Sequence, residues 1–170
     1  MKLITKIFFL TIILNSCVGK NETNELAKFD KNGKMIVYNE GVYAEMWTKN
    51  HNIDVTVIDT LCINQKAKAI NDIKNGKLIY FGLIPEQFKS KVIKTFRQHG
   101  IETKEHFGRC VRMKGFEPYC YQNEMYKAIL KKYGDSFIEL TFENAKKEFV
   151  KENPKTELTE DGIKLSEKYK

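Results

Sequence analysis

The chain carries none of the short motifs that announce a reaction. It has no C-x-x-C redox pair, no G-x-S-x-G nucleophile elbow, no phosphate-binding glycine loop and no H-E-x-x-H metal helix. Dithiol exchange, α/β-hydrolase chemistry, P-loop nucleotide binding and zincin-type proteolysis therefore lack their usual signatures. There is also no apolar run of membrane-spanning length. The N-terminal one, Ile7 to Leu14, is eight residues long, and as a helix it would cover about 12 Å of a ~30 Å hydrocarbon layer. No internal repeat and no low-complexity segment occurs, which excludes solenoids, propellers and compositionally disordered tracts.

What is present is enough for one packed domain: 170 residues, 42% hydrophobic and 12% aromatic. Its centre is Lys77 to Gly134. Leu78-Ile79-Tyr80-Phe81 reads as a strand, and Pro85 to His99 as a helix with Phe88, Val92, Ile93 and Phe96 on one apolar face. Pro85 suits a first helical turn and Gly100 a left-handed stop. A loop with Cys110 and Cys120 follows. A second helix is expected from the Asn123 cap to Tyr133, and a third from the Asp135 cap to about Glu152, the two forming a helical hairpin across Gly134-Asp135.

Upstream, Met35 to Tyr38 and Ile53 to Val57 read as short strands, Gly41 to Trp47 as a short helix, and Gln65 to Lys74 as a helix capped by Asn64. Ile101-Glu102-Thr103 is a thin strand signal that would complete a strand-helix-strand unit. Short strands mixed with helices, and a helix-rich C-terminal half, indicate an α+β class with a small sheet. The organisation expected is a leader over 1–16, a polar tether over 17–32, one globular domain over 33–153 and a charged tail over 154–170, in which only Leu158, Ile163, Leu165 and Tyr169 could pack.

The leader has a cationic head, Lys2 and Lys6, then the apolar run, then Leu14-Asn15-Ser16-Cys17. This end resembles the signal and lipobox of bacterial lipoproteins. Leu14 and Ser16 match the pattern, while Asn15 replaces the commoner Ala, Ser or Thr. The resemblance covers about the first twenty residues and no part of the domain. It implies lipidation at Cys17, with more than one acyl chain, and an address in the bacterial cell envelope, anchored to membrane and facing the periplasm or exterior. An ordinary secretory signal would instead leave Cys17 a plain thiol. Loss of Lys2 and Lys6 takes the net charge from +7 to +5. In an envelope compartment that balance excludes nucleic acid as the expected partner. It favours anionic lipid or an acidic protein if it is more than solvated lysine faces.

Three cysteines remain: Cys62, Cys110 and Cys120. The Cys110-Cys120 spacing, with Gly115 and Pro118 inside it, is the expected disulfide, which would close a small loop. Cys62 is then a buried thiol, although three cysteines allow three single bridges. At the tip of that loop Phe116 and Tyr119 are the candidate contacts for a protein partner. His99, His106, Cys110 and Cys120 lie close in sequence, yet only His106-x₃-Cys110 has metal-ligand spacing, so no metal is assigned. No cofactor and no catalytic residue is assigned either. The expectation is a protein-binding envelope lipoprotein of accessory or immunity type. The rivals are a thiol- or metal-dependent enzyme using Cys110 with His106 as base, and a purely structural envelope protein.

Overall fold

The computed structural model describes residues 26–106, 108 and 112–169. The leader, Cys17 and Cys110 lie outside them. The architecture is α+β, built on two strand-helix-strand units. In the second unit, β3 (Leu78–Phe81) pairs in parallel with β4 (Ile101–Lys104), Leu78 beside Ile101 and Phe81 beside Lys104.

The connecting helix comes in two pieces, a 3-10 turn Glu86–Phe88 and α3 (Lys89–Gln98). Pro85 is extended at ψ 131°, so it stands before the turn rather than within the first helical turn, and Phe88 at φ −128° breaks the hydrogen-bond ladder. The apolar face read from spacing is nevertheless the buried one: Phe88, Val92 and Phe96 are at most 5% exposed. They form the main core with Leu78, Ile84, Ile101, Ile129 and Ala145, and Tyr80 stacks on Phe96 at 4.8 Å. The thin strand signal at Ile101 is explained here. Gly100, at φ +69°, turns the chain back beside β3, and the backbone ladder then needs only one buried apolar side chain from β4.

The first unit is β1 (Ile36–Val37), α1 (Glu40–Lys49) and β2 (Thr56–Val57), again a parallel pair. Asn39 caps α1, its Oδ1 accepting from the amides of Gly41 and Val42 at 2.8 and 3.2 Å. A second core of Val37, Tyr43 and Phe116 sits here. Backbone pairing with the domain begins at Phe29, within the segment expected as a tether. Phe29 pairs with Met35 in an antiparallel bridge, and the Tyr38 hydroxyl donates to the Ala27 carbonyl at 2.9 Å.

Between the units lies α2 (Thr60–Lys74), followed after β4 by α4 (Cys120–Tyr133) and α5 (Phe137–Glu152). The expected hairpin of the last two is loose. Gly134 redirects the chain, so that α4 packs chiefly on α2 and β3 while α5 packs on α3.

The segment expected as a tail carries β5 (Thr159–Glu160), β6 (Ile163–Lys164) and α6 (Leu165–Lys168). Asp161 and Gly162, both at positive φ, make the two-residue antiparallel turn. Leu165, 4% exposed, docks it. Lys146 of α5 pairs with both Glu143 and Glu160, and Glu160 also takes Lys168 at 2.7 Å.

Candidate functional site

The segment leading into α4 does not stand out as a closed tip; it is tied down to the first unit. Its sulfur bridge is Cys62–Cys120, with Cα atoms 5.2 Å apart across a sequence separation of 58. This corrects the expected Cys110–Cys120 pair: a sulfur holds one disulfide partner, and α2 and α4 bring Cys62 against Cys120. Closing a loop of that length stabilises by about 4 kcal/mol in the chain-entropy model, more than the short loop would.

Helix α2 begins five residues earlier than expected. Asp59 is the cap, not Asn64, because its Oδ1 accepts from the Cys62 amide at 2.8 Å. Its other oxygen accepts from the Glu117 amide at 2.8 Å, so one carboxylate holds both the helix start and the loop. Glu117 in turn accepts from the Tyr119 amide at 3.2 Å and pairs with Arg112 at 2.8 Å. The Met113 amide donates to Glu40 of α1 at 3.1 Å. Beyond the bridge, the Tyr121 phenol donates to Asp72 of α2 at 2.7 Å. Burial and the Asp72 carboxylate hold that phenol protonated far above its ordinary range.

Phe116 is 6% exposed and meets Tyr43 edge-on at 5.7 Å. It is a core residue and offers no surface to a partner, so the expected contact there is corrected. Gly115 explains why the ring turns inward. At φ +90° it lets the backbone pass so close to β2 that a Cβ would lie 3.0 Å from the Val57 Cβ. Tyr119 is half-buried, its ring edge-on to His106 at 5.1 Å.

His106 also abuts Phe81 at 6.4 Å, and its Nε2 is buried with no hydrogen-bond partner among the described residues. His99 is elsewhere, against Tyr133 and Phe137. Among the described residues no three His, Cys, Asp or Glu side chains gather as metal ligands would, and no helix is long and apolar enough to cross a membrane.

Tying the loop down leaves a cleft of about 240 Å³ where the starts of α1 and α2 face Phe116 to Pro118. Asn39 and Gly41 lie on one side, Asp59 and Leu61 on the other. Leu61 is 61% exposed, and Val42, next to Gly41, is 51% exposed. Sequence reasoning passed over both. The Asp59-Thr60 pair ahead of Leu61 is a helix-start signature that would have placed Leu61 on a helix and shown that it need not face the core. Comparison with protein-family models, curated proteins and solved structures finds no match for this chain.

Proposed function

We propose that this chain is an exported protein, lipid-anchored at Cys17 in the cell envelope, whose folded part works by binding another protein. The observation that carries the binding reading is the cleft between the starts of α1 and α2. Its floor is braced by the Asp59 and Glu117 hydrogen bonds, and large apolar side chains, Leu61 and Val42, stand exposed beside it. Apolar groups held out in water on a preorganised frame are what protein interfaces are built around. The Cys62–Cys120 bridge supports export, since such bonds persist in oxidising compartments. The test is affinity capture of the anchored protein from its native membrane, wild type beside Val42→Asp/Leu61→Asp. Both positions are solvated, so the double variant folds, and it loses a protein that the wild type retains. An unchanged set of captured proteins overturns the reading.

A further inference from the structure

We propose that the turn at the start of the described chain, with Phe29 and Met35 at its base and Lys28 and Lys31 beside them, lies on the anionic headgroups of the membrane that holds the anchor. The inference rests on the anchoring reading and deepens it by assigning the domain a membrane-facing side.

Phe29 and Met35 are partners in an antiparallel bridge, so their side chains are neighbours, yet they are 59% and 46% exposed. Lys28 and Lys31 are exposed and have no ion-pair partner among the described residues, whereas Lys34 is engaged by Asp54 at 2.7 Å. The one acid of the turn, Asp30, is fully occupied. One oxygen accepts from the amides of Asn32 and Lys34 at 2.8 and 2.9 Å, and the other from the Thr56 hydroxyl at 2.6 Å. The patch is thus preformed, fastened to β2 and needs no ordering on contact. Apolar side chains that dip toward acyl chains, with ammonium groups at phosphate height, are the chemistry of an interfacial lipid contact.

Chain length favours this patch, because it is the part of the described chain joined to the anchor by the shortest covalent path. Cys17 and Leu26 are nine residues apart, which limits their separation to about 32 Å even at full extension. Leu140, also exposed, belongs to α5, which packs on α3 of the second unit rather than on the strands that carry the patch. Tethering makes the contact intramolecular, which raises the effective concentration of a patch whose intrinsic affinity is low.

The experiment uses the full acylated chain in vesicles of phosphatidylethanolamine and phosphatidylglycerol with brominated acyl chains, in a Trp47→Phe background. Phe29→Trp supplies the reporter and Leu140→Trp the control. Bromine is expected to quench the indole at position 29 and not that at position 140. Replacing phosphatidylglycerol by phosphatidylcholine, or adding Lys28→Glu and Lys31→Glu, should cut the quenching about twofold or more. No quenching at position 29, equal quenching at both positions, or quenching that ignores the charge reversal overturns this inference while the anchor stands. If radioactive fatty acid fails to label the wild type, or still labels Cys17→Ser, the anchoring reading falls and this inference with it.

Discussion

Gly115 and Phe116 act as one unit. The glycine supplies a backbone conformation that other residues rarely adopt, and the ring then completes the core made by Val37 and Tyr43. Phe116→Ala should cost about 3–5 kcal/mol in denaturant unfolding, as for a buried aromatic. Gly115→Ala, which meets both the positive φ and the Val57 contact, should cost about 1–3 kcal/mol. A change at Phe116 below 1 kcal/mol, roughly what a solvated site shows, would return that ring to the surface. At this scale the sequence was legible only where periodicity applied. Phe88, Val92 and Phe96 were readable as core because a helix repeats its inward face every three or four residues. A loop has no such period, so the inward turn at Phe116 left no trace in the spacing, and its aromatic character pointed as well to a partner as to a core.

The elements meet at Asp59, which starts α2 and at the same time holds the segment before α4. Asp59→Ala should therefore cost about 1–3 kcal/mol, a lost cap together with an orphaned amide. Its effect should also reach beyond α2, with the Glu117 amide exchanging faster with solvent. If exchange accelerates only within the first turn of α2, the cross-link to the loop carries nothing. The disulfide is an element-scale fact for the same reason. Local spacing favoured Cys110 with Cys120, but the sulfur that arrives is 58 positions away, brought by the packing of α2 on α4. No reading of a loop alone could place it. Cys62→Ser should cost about 2–5 kcal/mol, and non-reducing peptide mapping should join the peptides of Cys62 and Cys120. A Cys110-to-Cys120 peptide in the purified protein would overturn the pairing.

For the whole molecule, the C-terminal hairpin is held to α5 by a lysine–glutamate cluster beside the buried Leu165. Hydrogen bonds from Lys146 and Lys168 hold the Glu160 carboxyl below the usual carboxylate range, and those from Tyr169 and then Lys146 do the same for Glu143. The sign of the pH dependence follows. A carboxyl depressed in the folded state stabilises fully above its unfolded value, about 4.3, and loses that contribution as pH falls through the lower folded value. The apolar anchor is small, chiefly Leu165, so acid should release the hairpin before it touches the sheet at Leu78 to Phe81. Amide exchange followed from neutral pH to about pH 3, below the ordinary carboxylate values, should show residues 159–165 losing protection while β3 and α3 keep theirs. Glu143→Gln together with Glu160→Gln should weaken the hairpin at neutral pH and flatten its response to acid, because both depressed carboxyls of the cluster are gone. Simultaneous loss of protection in the hairpin and in β3, or an unchanged acid response in the variant, would mean that the tail is held by Leu165 alone and that the lysine–glutamate cluster is solvated decoration.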